Sequence, residues 1–217
     1  MTVDTHNPKP DTKPNSGATP AAATPPSVTK HDRLPGPATY LVLAAWVGAV
    51  MAAISAGAFA EGGDPPLPLM ASVALPIAAV AASYRWSRQF REYVLALDTG
   101  LILAAQLWRV VGAAFLFAYA FDQLPAGFAI PAGVGDVVTG LAALGVVVAH
   151  GSGKLTRRRL YLFTVLGVGD FLVAIIAGLT IRPPELDLWP LIIFPTLMVP
   201  FFGVLHLIAV LQSRNTG

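Results

Sequence analysis

"KLTRRRLYLFTVLGVGDFLVAIIAGLTIRPPELD", Lys154 to Asp187, decides the reading of the whole chain. It opens on Lys154, Arg157, Arg158 and Arg159, continues as an apolar run from Leu160 to Thr180, and closes on a turn-like "RPPELD" carrying Glu185 and Asp187. A helix needs about 20 apolar residues to cross the hydrocarbon core of a bilayer. This run has that length, and it is apolar around the whole helix, with no polar face to turn toward water. A span with a basic end and an acidic end is the unit from which the rest is read.

The unit recurs. Roughly Ala38–Ala60, Leu67–Tyr84, Thr99–Phe121, Ile130–Ala149 and Leu188–Leu211 join it to make six spans, separated by "EGGDPP", "DQLPAG", "HGSGK" and "RPPELD". The 217 residues are 55% hydrophobic and 12% charged, about half the charge of a soluble domain. The expected fold is therefore an all-α integral membrane protein, with a six-helix transmembrane domain at 37–212. Residues 1–36, rich in Pro, Thr, Ala and Lys without a hydrophobic period, read as a disordered cytoplasmic tail. They lack the apolar core of a secretory signal peptide. Residues 213–217 read as a short cytoplasmic C-terminus.

With six spans, Lys9, Lys13, Lys30, Arg33, Arg85, Arg88, Arg91, Lys154, Arg157, Arg158, Arg159 and Arg214 fall on one side. Arg182 falls on the other, with Glu61, Asp64, Asp122, Glu185 and Asp187, and Arg109 lies within a span. The positive-inside rule puts both termini in the cytoplasm, and the expected location is a plasma membrane of bacterial type. Between spans two and three, "RWSRQFREYVLAL" repeats Trp86, Phe90, Tyr93, Val94 and Leu97 at helical spacing, away from its arginines. This is the pattern of a short amphipathic helix in the interface, with Arg85, Arg88 and Arg91 near anionic headgroups of the membrane lipids. A basic loop that only sets topology is the simpler alternative.

Ionisable groups inside spans are costly and face protein or a cavity. Here they are Arg109, Asp136, Asp170 and His206, and Gln106 lies one turn from Arg109. Asp136 and Asp170 sit about 15–20 Å from the basic ends of spans four and five at 1.5 Å per residue, so an antiparallel pair holds them at one depth. Gly133, Asp136, Gly140 and Ala143 share a face of span four; Gly167, Asp170, Ala174 and Ala177 share a face of span five. Small residues at this spacing allow close helix approach. Arg109 is the expected counter-charge of both aspartates. His206 stands apart near the basic end of span six, after Pro195 and Pro200, which free backbone carbonyls. It has no second span histidine at its depth with which to hold a haem.

Gln106, Arg109, Asp136, Asp170 and His206 are the candidate binding cluster, for a small solute, a lipid headgroup or a proton. The simpler alternative is an ionic cluster that only fixes helix register. With no cysteine in the chain, thiolate chemistry and disulfides are excluded. No phosphate loop, metal cluster or nucleic-acid patch is present, so neither cofactor, metal nor nucleic acid is expected. The charge-bearing, Gly- and Pro-interrupted spans favour a small transporter or solute-binding membrane protein.

"GVGD" occurs at Gly133–Asp136 and again at Gly167–Asp170. Both copies resemble the Gly-x-Gly-Asp motif of intramembrane aspartyl proteases, the presenilin, signal-peptide-peptidase and prepilin-peptidase group. The resemblance implies a catalytic pair, Asp136 and Asp170, sharing a proton and activating water. Val134-Gly135 stands before Asp136 where the presenilin-like branch has tyrosine, and that branch's Pro-Ala-Leu motif is absent. A cation close to both acids would keep them ionised, so the position of Arg109 separates a binding cluster from a hydrolase.

Overall fold

Proline, serine, aspartate and threonine mark where the helices begin. Prolines stand at the starts of α1 (Pro37–Ser55) and α2 (Leu67–Trp86), where a missing N–H costs nothing. The Ser87 hydroxyl accepts from Phe90 N at 3.2 Å to cap α3 (Arg88–Ala96), and Asp98 Oδ1 accepts from Leu101 N at 3.0 Å to cap α4 (Thr99–Ala105). A 3₁₀ segment, Gln106–Gly112, links α4 to α5 (Ala113–Ala120), and the three pieces form span three. α6 is Ala126–Gly151, and α7 is Arg157–Ile181, capped by Thr156. Span six begins with a π-helical turn, Phe194–Met198, and continues as α8 (Val199–Asn215). The computed structural model describes residues 1–2, 34–59, 66–187 and 189–215. The tail expected over residues 1–36 lies almost wholly outside them.

Six of these helical stretches are long and apolar enough to cross a membrane, and no strand occurs among the described residues. The protein is an all-α, multi-pass membrane protein. Large apolar side chains such as Leu141, Val165, Leu172 and Ile176 face outward, as they do where the surrounding solvent is hydrocarbon. α6 is the central helix, packed on α7 and on all three pieces of span three; α8 packs on α2, α4 and α7. α1 is peripheral; it packs on the π turn of span six, and its Thr39 hydroxyl is hydrogen-bonded to the Tyr93 hydroxyl of α3.

Two apolar cores lie at opposite ends of the bundle. At the basic end, Val94, Leu103, Ala143, Leu160, Phe163 and Ala209 pack together. At the acidic end, Phe115, Ala118, Leu124, Phe128 and Ala132 do so. The ionisable groups fall between them.

Four local features differ from the expectation. Span three is not one α-helix, because Gln106–Gly112 tightens to 3₁₀ where α6 crosses it. Span six starts at Phe194 rather than Leu188, and α8 runs on to Asn215, into the segment read as tail. α3 is amphipathic as expected, but its apolar face is covered by protein: Val94 is 1% exposed, and Phe90 and Tyr93 pack against the basic-end core. Trp86, read as part of that stripe, is the last residue of α2 and is 80% exposed. Arg91 folds back, donating through Nε to Tyr84 O at 3.1 Å and through Nη2 to Arg85 O at 3.0 Å, and so satisfies the last carbonyls of α2. Arg88 pairs with Glu92 at 2.9 Å on the surface.

Candidate functional site

Span three comes unusually close to α6 because Gly140 has no side chain. A Cβ there would lie 2.8 Å from Val110 N and 3.4 Å from the Arg109 carbonyl carbon. That near-contact of backbones holds the 3₁₀ segment in place and turns Arg109 inward between α6, α7 and α8.

The Arg109 side chain has no accessible surface, and its neighbours match its donors. Nε donates to Asp136 Oδ1 at 2.9 Å. Nη2 lies 2.8 Å from the same oxygen and also donates to Asp170 Oδ2. Nη1 donates to Gly167 O at 3.2 Å and stands 3.5 Å from His206 Nε2. The Phe171 ring covers one face of the guanidinium, with its centroid 3.9 Å from Cζ. A guanidinium has five N–H donors and no acceptor. His206 Nε2 is therefore the acceptor of its contact, and the imidazole proton belongs on Nδ1, a buried atom without a hydrogen-bond partner.

The two GVGD copies build this geometry through their glycines as much as their acids. A Cβ on Gly135 would fall on the Asp170 carboxylate, and one on Gly167 would fall on His206 Nε2. Gly133 packs on Leu116 and Gly112 O of span three. The Gly133/Gly140 face of α6 thus meets span three rather than α7. A Cβ on Gly169 would meet nothing within 4 Å.

Of the five cluster residues read from the sequence, Arg109, Asp136, Asp170 and His206 come together. Gln106 does not join them: its Nε2 donates to Phe202 O at 3.3 Å, tying span three to α8. His206, read as lying apart from the acids but counted among the candidate cluster, is its fourth member. Sequence reading also passed over Gln212. Its Nε2 donates to Val94 O and Leu97 O at 3.0 and 2.9 Å, and its Oε1 accepts from Thr99 at 2.9 Å. The signal was there, since Gln212 is a polar residue just past the apolar run of span six.

A cavity of about 400 Å³ runs from the acidic end of the bundle down to the ionic cluster. Its upper wall includes Pro66, Arg182, Pro183 and Leu186; Asp136, Asp170, Arg109 and Phe171 form its floor. Between them it is apolar, with Met70 and Val73 of α2 facing Ala174 and Gly178 of α7. Below the floor, the basic-end core closes the bundle. The floor is uneven in chemistry: the side chain of Asp136 is 17% exposed and that of Asp170 6%, whereas that of Arg109 is wholly covered.

A family model described as a domain of unknown function, DUF8737, matches residues 66–212. The chain belongs to that family. The DUF8737 segment runs from the start of α2 through most of α8, so it contains the entire cluster and the cavity, while α1 lies outside it. No curated protein and no solved structure matches the chain.

Proposed function

We propose that this DUF8737 protein is a small transporter or solute-binding membrane protein whose site is the cavity above the Arg109–Asp136–Asp170 cluster. The observation that carries the reading is the position of that cluster, at the inner end of a cavity of about 400 Å³ that reaches the acidic end of the bundle. Ligand pockets of this size, apolar with a few convergent polar groups, are the usual form of small-molecule sites. Two interrupted spans flank the cavity: the 3₁₀ segment of span three and the π turn of span six, followed by Pro200. Irregular helix at membrane depth is tolerated where it lines a cavity, and broken helices around a midplane charge are a recurring transporter design.

The one-sided distribution of Lys and Arg supports an orientation with both termini in the cytoplasm, in a plasma membrane of bacterial type. The cavity then opens outward and the basic-end core seals the inner side. In that orientation Arg85 and Arg88 lie near the inner leaflet, where anionic headgroups would meet them. The guanidinium between Asp136 and Asp170 supports a charge-compensated site over a proton-sharing catalytic pair.

Ligand-induced thermal stabilisation of the purified chain, screened over apolar and amphiphilic small molecules, tests the reading. Met70→Trp, which fills the cavity from its α2 wall near the acidic end, should abolish every stabilising response. Cleavage of a membrane peptide that survives Arg109→Gln and is lost in Asp136→Asn and Asp170→Asn would replace this reading with aspartyl hydrolysis.

A further inference from the structure

The cavity shows a ligand the acceptor half of the ionic cluster and hides the donor half. The N–H groups of Arg109 are directed at Asp136, Asp170, Gly167 O and His206, and its side chain is wholly covered. An anion at the floor finds the Arg109 donors already engaged. Asp136 is the most exposed member, and its Oδ1 carries the contacts to Arg109. A carboxylate has about four lone-pair positions, so acceptor capacity is left facing the cavity. With one guanidinium between two carboxylates, the floor carries a formal surplus of one negative charge.

The walls agree with the floor. Trp108, Phe115, Phe128, Phe171, Phe194 and Phe202 all line the cavity, and aromatic faces attract cations most strongly where water is excluded.

We infer that the solute is a lipophilic monocation, an amine on an apolar chain or ring system, which places its ammonium on Asp136. The inference rests on the solute-site reading above and names the substrate class of that site. Asp170 and Arg182 are 12 residues apart on α7 and just beyond it, about 18 Å at 1.5 Å per residue. The apolar part of the ligand has that depth to occupy.

The test uses the full chain in phosphatidylcholine nanodiscs at neutral pH, with radiolabelled decylamine as probe and protein-free discs as baseline. 1-Decanol and decanoate, which keep the chain and change only the head, are the competitors. Saturable decylamine binding is expected. Decanol should compete about tenfold to a hundredfold more weakly, the range of a charged hydrogen bond, and decanoate should not compete. Asp136→Asn should weaken decylamine at least about tenfold and leave decanol unchanged. Val73→Trp, remote from the ions, should weaken both. If Asp136→Asn does not fold, the ranking of the three heads on the natural protein decides alone. Decanol or decanoate binding as tightly as decylamine overturns the cation specificity and leaves the solute site standing. Absence of saturable binding by all three overturns the apolar-solute reading together with this inference.

Discussion

Arg109 and Asp136 meet at 2.9 Å across the contact between the broken third span and α6, where Gly140 lets the two backbones touch. The ion pair and the close approach depend on each other. A helix one methyl group farther away would carry the guanidinium off its carboxylates, and without the pair the 3₁₀ segment would bury a charge for nothing. Removing one partner of a buried ionic group leaves the others uncompensated, at a cost of about 3–5 kcal/mol, whereas removing all of them together costs far less. Arg109→Gln is therefore expected to destabilise the protein by that order. Arg109→Leu combined with Asp136→Asn and Asp170→Asn is expected to recover much of the loss. Thermal unfolding in detergent measures both, and an Arg109→Gln protein as stable as the original contradicts the coupling.

The two GVGD copies predict an asymmetry among glycines. Gly135→Ala would drive its new methyl into the Asp170 carboxylate, and Gly167→Ala into His206. Each should lose about 1–3 kcal/mol or more, the range for overpacking. Gly169→Ala meets nothing within 4 Å and should be neutral or gain up to about 1 kcal/mol from helix propensity. Equal losses at Gly135 and Gly169 in the same unfolding assay would show that the motif acts through backbone flexibility rather than packing.

His206 is predicted to be neutral with its proton on Nδ1, because a guanidinium donates only. Nitrogen-15 NMR of the selectively labelled protein should show a pyridine-like Nε2. His206→Phe leaves one Arg109 N–H without its acceptor and should cost about 1–3 kcal/mol. A protonated Nε2 at neutral pH would contradict the assignment.

Reporter fusions at Asp64, Asp122 and Glu185 are expected to be external, and fusions at Lys154 internal. A cytoplasmic signal from any of the first three would overturn the orientation, and with it the claim that the cavity faces outward.

Much of this arrangement is legible in the sequence because the membrane makes it so. A run such as Leu160–Thr180 has no soluble use, and an arginine at span depth has to find acid at the same depth, which limited the partners of Arg109 to Asp136 and Asp170. What was not legible is what depends on contact between helices. Gln106–Gly112 has no residue pattern that distinguishes 3₁₀ from α; it tightens because Gly140 of another helix presses on Val110. Gln106 shares a face with Arg109 by spacing, and the 3₁₀ segment keeps it there, but one turn nearer the basic end its amide meets Phe202 O of α8 instead of the carboxylates. His206 looked solitary because its partner lies nearly a hundred residues earlier in the chain. The late start of span six follows from the turn at residues 189–192 ahead of its π turn, which apolar composition does not mark.

The central claim is that a cavity leads from the acidic end of the bundle to the ionic cluster and stops there. The natural chain has no cysteine, so single cysteines report cleanly. Ala174→Cys stands on the cavity wall, and Ala143→Cys stands in the basic-end core at 0% exposure. The measurement is their rate of reaction with a small methanethiosulfonate reagent added to the purified protein in nanodiscs. The account predicts rapid modification at position 174 and none at position 143. Protection of both, or reaction at 143 in preference to 174, would contradict it.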